Sequence, residues 1–101
     1  MKMYILIKES VPIGHALVAA AHASLATYLR FQDADEMRQW LSGRFYKVVC
    51  KVTDNEFEQA KLTPDHVVIT ESSMQGQEVA MGFRPREEWP KPFKYFRMVR
   101  E

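Results

Sequence analysis

Met3-Tyr4-Ile5-Leu6-Ile7 leads, after a short polar stretch, into Gly14-His15-Ala16-Leu17-Val18-Ala19-Ala20-Ala21-His22-Ala23. The first run is apolar throughout, as a strand covered on both faces requires. Lys8-Glu9-Ser10 leaves the sheet, and Pro12 and Gly14 punctuate a loop. The spacing that follows predicts a helix over 15–31, with Val18, Ala21, Leu25, Tyr28 and Leu29 expected along its buried side. Alanine fills much of the remaining circumference, so the helix can approach a sheet closely. A strand, a loop and a glycine-opened helix put backbone N–H groups, a helix dipole and two histidines at the carboxyl end of a strand. α/β proteins commonly bind ligands there.

Further elements follow from local signals. Asp33 or Asp35 can cap a second helix whose apolar face is Met37, Trp40 and Leu41, and Ser42-Gly43 ends it. Phe45 to Val52 is predicted as a second strand. Thr53 with Glu56 reads as a capping box for a third helix carrying Phe57, Ala60 and Leu62. Thr63-Pro64-Asp65 is a turn, and His66–Thr70 and Val79–Phe83 are strands paired as a hairpin around a polar loop. Pro85 opens a helical turn through Trp89, and Lys94 to Val99 alternates as an edge strand. The expected class is α/β, a mixed β-sheet flanked by helices on its faces, in the order β-α-α-β-α-β-β-β.

The chain has 101 residues, 47% hydrophobic and 27% charged, which suits one globular domain over 1–101. Its longest apolar block, residues 16–21, is far too short to span a membrane, and the amino end lacks a signal-peptide pattern. The single cysteine, Cys50, lies in a strand-like run and reads as an inert buried thiol. These features place the expected location in the cytoplasm. A net charge of +1 gives no overall nucleic-acid footprint. The cations from Arg84 onward (Arg86, Lys91, Lys94, Arg97 and Arg100) either face a polyanion or guard a solvated edge strand.

His15 and His22 share a helix face but lie roughly 10 Å apart along the axis. Helical zinc pairs use an i, i+4 spacing, so no metal site is expected. His22 sits at the rim of the expected apolar stripe and is either a satisfied helix histidine or a catalytic one. His15, in the first turn, can donate to an anion or act as a base. Glu71-Ser72-Ser73 follows a strand, and a carboxylate there can orient a water or a histidine. Neither serine has the context of a hydrolase nucleophile. His66 reads as structural. The alternation Phe93-Lys94-Tyr95-Phe96-Arg97 reads as a half-buried edge strand, with nucleotide stacking as the other use of such a pattern.

Taken in order, Lys2 to Lys8, Gly14, Val18-Ala19-Ala20, His22-Ala23 and Tyr28 resemble the archaeal and eukaryotic type of peptidyl-tRNA hydrolase, type II. Trp40, Gly43, Lys47 to Val52, Glu71 and Ala80-Met81-Gly82-Phe83-Arg84-Pro85 extend the likeness. Glu87-Glu88, Lys94 and Phe96-Arg97-Met98 bring it closest to the branch called peptidyl-tRNA hydrolase domain-containing proteins. The resemblance implies a mixed sheet with helices, a homodimer, and hydrolysis of the ester joining a peptide to the tRNA 3′ ribose without metal or organic cofactor. The family's helix-opening lysine is replaced by His15, its glutamine and cysteine by alanines, and its aspartate by Glu71 with a shortened loop, Ser72 to Gly76.

Two functions fit. The first is a divergent peptidyl-tRNA or aminoacyl-ester hydrolase with His15, His22, Glu71 and Ser72 as the catalytic set. Gly14, Lys8, Lys47 and Arg84 would then hold substrate. The second is a non-catalytic module that binds a tRNA or RNA end, or a partner protein, on the same fold. Neither places the chain in a membrane.

Overall fold

The computed structural model describes residues 1–99; Arg100 and Glu101 of the basic tail lie outside the described residues. The elements are β1 (Met3–Lys8), α1 (Ile13–Phe31), α2 (Asp35–Ser42), β2 (Lys47–Val52), α3 (Asp54–Ala60), β3 (His66–Glu71), β4 (Gln77–Phe83) and β5 (Arg97–Met98). Two 3-10 turns, Ser72–Met74 and Lys91–Tyr95, complete them. The sheet order is β3-β4-β1-β2-β5. β1 and β2 run parallel, Met3 opposite Lys47 and Lys8 opposite Val52. β4 runs antiparallel to both β1 and β3, and β5 antiparallel to β2. The mixed sheet with helices on its faces is the α/β arrangement expected.

β1 is buried on both faces for the reason its composition implies. Met3, Ile5 and Ile7 pack with Ala19, Ala23, Met37 and Trp40 under α1 and α2. Tyr4 and Leu6 pack on the other face with Phe57, Phe83, Phe93 and Phe96, under α3 and the C-terminal segment. α3 starts at the capping box. Thr53 Oγ1 accepts the Glu56 N–H at 3.1 Å, and Glu56 Oε1 accepts the Thr53 N–H at 2.8 Å.

The buried side of α1 differs from the expected one. Ala19, Ala23 and Thr27 face the sheet, while Leu17, Val18, Leu25 and Leu29 are exposed. Four-residue spacing sets Ala19, Ala23 and Thr27 in one row. This row lies so close to β4 that only Gly82 fits beneath it. A Cβ at Gly82 would stand 2.0 Å from Thr27 Oγ1 and 3.0 Å from the Ala23 carbonyl oxygen. Small residues win this face because closeness matters more there than side-chain hydrophobicity.

Other expectations are corrected similarly. Leu41 and Leu62 are exposed rather than buried. α2 has no side-chain cap; Ala34 stands at its N-cap, and Asp35 and Glu36 instead meet the positive end of its dipole. β2 begins at Lys47, because Phe45 adopts a left-handed φ of 36° that ends extended geometry. No helix forms over Pro85–Trp89, since Arg86 pairs antiparallel with Lys2 and draws that segment out along the sheet. The turn forms at Lys91–Tyr95 instead, and the last strand keeps only Arg97–Met98. The 93–97 alternation is thus not a strand: Phe93 and Phe96 drop into the core from the turn and its end.

Candidate active site

α1 begins beside the carboxyl end of β1 and runs back across the sheet. β3 is parallel to β1 through β4, so Glu71 ends at the same edge where α1 starts. A groove of about 660 Å³ lies between them. α1 contributes His22, Leu25 and Leu29, and the β3 end contributes Thr70, Glu71 and Ser72. Ile69 packs with the core on the α1 side and Val68 with the core on the other, so strand alternation puts Glu71 on the α1 face. A bulge next to this end shifts the β3–β4 register between Ile69 and Thr70, leaving Val79 unpaired with β3. The turn back into β4 uses Gln75 and Gly76, both left-handed, at φ 60° and 74°.

Ser73 fixes the Glu71 carboxylate. Its backbone N–H donates to Glu71 Oε1 at 3.2 Å and its hydroxyl donates to the same oxygen at 3.1 Å. These two bonds hold the carboxyl below its ordinary range against an opposing cost of burial, with lesser lowering contributions from His15 and His22. Both histidines therefore lie within electrostatic reach of one carboxylate. His22 lines the groove; His15 stands exposed in the first turn, outside the lining.

The first turn of α1 carries no side-chain cap and no acidic residue. Its first intrahelical bond runs from Ala16 N–H to the Pro12 carbonyl at 2.8 Å, so the N–H groups of Ile13, Gly14 and His15 have no partner within the helix. A Cβ at Gly14 would meet nothing within 4 Å. Glycine there answers no packing need of this chain.

The structure does not bring the three expected cationic neighbours to the groove. Lys8 points to the other face of the sheet, 3.8 Å from Asp54 and over the Phe57 ring. Lys47 lies at the far end of β2, beside Trp40 and Phe45. Arg84 joins Asp65 at 3.3 Å and Glu36 at 3.6 Å, next to the start of β3 and about 20 Å from its Glu71 end. Each is held by local partners. Strand position alone could have separated Lys47 and Arg84, since a six-residue strand puts its two ends on opposite edges of the sheet, whereas Lys8 shares the groove's edge and is parted from it by strand alternation, on the Tyr4–Leu6 face. Ser73 is the residue that sequence reading missed. An acceptor side chain two residues before a serine at a strand end was the available signal.

His66 is structural, as expected: its Nδ1 lies 2.8 Å from the Thr63 carbonyl and its ring packs near Phe83. Cys50 is buried, and burial pushes its thiol up to about 11. Among the described residues no group of three or more His, Cys, Asp or Glu side chains is placed to hold a metal ion. No helix among them is long and apolar enough to cross a membrane. No curated protein matches the chain. The family model described as Peptidyl-tRNA hydrolase PTH2 matches residues 1–85, which includes β1, α1, the groove and β4. The chain belongs to the type II peptidyl-tRNA hydrolase family.

Proposed function

We propose that this chain, as a single domain over 1–101, is a divergent peptidyl-tRNA or aminoacyl-ester hydrolase working through the α1–β3 groove. The observation that carries the reading is the Glu71 carboxylate, tied to Ser73 on one oxygen and sharing one groove with the His22 imidazole. The carboxylate orients a water and takes its proton as the water oxygen attacks the ester carbonyl carbon. His22 donates a hydrogen bond to the oxygen that becomes negative. The tetrahedral intermediate then expels the ribose 3′ oxygen, which takes up the proton. The products are a peptide carboxylate and a free 3′-hydroxyl. Base and donor both come from side chains, so the scheme needs neither metal nor organic cofactor. The N–H groups of the α1 first turn and His15 hold a neighbouring phosphate of the tRNA end. Ser72 lines the same groove and is assigned to substrate contact.

A second reading, binding without turnover, draws on one observation: among the described residues no lysine or arginine lines the groove. The two readings separate in a single-turnover assay with tRNA carrying a blocked amino acid and excess protein. Ester cleavage above the spontaneous rate supports the hydrolase; retained salt-dependent binding without cleavage supports the module.

The exposed crest of α1 supports a homodimer. Leu17 is 67% exposed and Val18 49%, and neither lines the groove. Leu17→Glu is expected to shift a dimer to monomer in sedimentation equilibrium, and a monomeric wild-type protein would remove the dimer from the proposal. The proposed location is the cytoplasm, where the family's tRNA substrate is found and a lone thiol stays reduced.

A further inference from the structure

The residues beyond the family match build a second concavity, on the face of the sheet opposite the His22–Glu71 groove. Phe93 to Met98 roof it, and Lys2, Tyr4, Val48 and Cys50 form its floor. Its volume is about 810 Å³. Three cations line it, Lys2, Lys94 and Arg97, and among the described residues no carboxylate does. Arg97 is tied to Glu9, whereas Lys2 and Lys94 make no ion pair among the described residues. The floor adds no negative charge: burial keeps the Tyr4 phenol and the Cys50 thiol protonated. The cavity therefore favours an anion.

The same aromatic ridge borders a second cleft. Phe93, Tyr95 and Phe96 line both, and on the far side of the ridge α3 contributes Asn55, Gln59 and Glu56, whose carboxylate already accepts the Thr53 N–H in the capping box. These two amides lie one helical turn apart and are exposed. Tyr95, at the junction, is 72% exposed. Cations on one side, an exposed aromatic ring in the middle and paired amides on the other match three parts of one molecule. A phosphate answers the cations, a flat ring stacks on the aromatic, and a base edge bonds to the amides.

We infer that the C-terminal segment and the face of the sheet beneath it form a nucleotide site. It takes a nucleoside 5′-monophosphate, free or as the terminal residue of an RNA strand. Lys2 and Lys94 hold the phosphate, Tyr95 stacks on the base, and Asn55 and Gln59 contact its edge. The inference does not rest on the hydrolase reading, because the two sites share no lining residue.

Backbone amide NMR on the full chain tests it, with AMP, adenosine, inorganic phosphate and a short oligoadenylate as separate titrants. AMP is expected to shift the amides of Val48, Cys50 and residues 93–98 with a Kd of about 1 mM or tighter, and adenosine or phosphate alone to bind at least about tenfold more weakly. Lys94→Ala and Tyr95→Ala are each expected to weaken AMP by about tenfold while leaving the thermal midpoint unchanged, since both side chains are exposed. Oligoadenylate binding tighter than AMP identifies an RNA end as the source; equal or weaker binding identifies the free nucleotide. Absence of any shift at about 10 mM AMP overturns the inference. So do shifts confined to His22 and residues 70–76, and so does phosphate matching AMP.

Discussion

Gly82→Ala is the substitution whose cost can be worked most closely from the geometry. The added methyl would stand 2.0 Å from Thr27 Oγ1, 3.3 Å from Thr27 Cβ and 3.0 Å from the Ala23 carbonyl oxygen. Ordinary contacts lie near 3.5–4.0 Å. Thr27 cannot turn aside freely, because its hydroxyl donates to the Ala23 carbonyl at 2.6 Å and the side chain is fully buried. Relief therefore comes from lifting α1 off β4, which separates Ala19 and Ala23 from the sheet. Overpacking of this kind costs about 1–3 kcal/mol, and backbone on one side of the clash puts it near the upper end. With a urea slope of roughly 1.5 kcal/mol/M, the midpoint should fall by between about 1 and 2 M. Circular dichroism through a urea series measures it. Combining Gly82→Ala with Thr27→Ala should cost less than the sum of the two changes, because the nearest clashing atom is gone. The remaining contact with the Ala23 carbonyl keeps the double variant below wild type. A midpoint within about 0.3 M of wild type, or strict additivity in the cycle, would refute the close approach of α1 to β4.

Two further outcomes follow from the perturbed groups. Ser73→Ala removes the hydroxyl bond to Glu71, so the carboxyl should rise toward the ordinary value of 4.5. In the wild type a depressed carboxyl favours the folded state above its unfolded value, and that contribution is lost as pH falls through the folded value. The acid limb of activity and the Glu71 carbon titration by NMR should both move to higher pH in the variant; no movement would discard the Ser73 anchor. The Cys50 thiol, pushed up to about 11 and buried, should resist alkylation at pH 8 until the chain is unfolded in denaturant. Modification of the native protein at the rate of a free thiol would contradict its burial.

What could be read from the residues alone follows the range of the interactions involved. The both-faces-buried character of β1 is local, as is the Thr53–Glu56 capping box, and both form where composition places them. That Glu71 and His22 line one groove accords with a parallel β1 and β3, which bring the carboxyl end of β3 to the edge where the helix after β1 begins; His15 lies outside that lining. The orientation of α1 was not. Leucine, valine and alanine ring the whole helix, and hydrophobic periodicity cannot tell a leucine stripe from an alanine stripe. Gly82, far along the chain, decides in favour of the alanines. Arg84 and Lys47 illustrate the same limit: their charge is visible in the sequence, but strand direction assigns them to the other end of the sheet. The C-terminal segment misled the strand reading because Phe93 and Phe96 satisfy the core from a 3-10 turn as well as from a strand.

Ester hydrolysis as proposed needs the Glu71 base and the His22 donor in one groove, and single-turnover cleavage of a blocked aminoacyl-tRNA by wild type, Glu71→Gln and His22→Asn measures that need. The wild type is expected to cleave measurably and each variant to lose about 100-fold or more, with thermal midpoints unchanged. Wild-type cleavage that survives both substitutions undiminished would contradict the scheme.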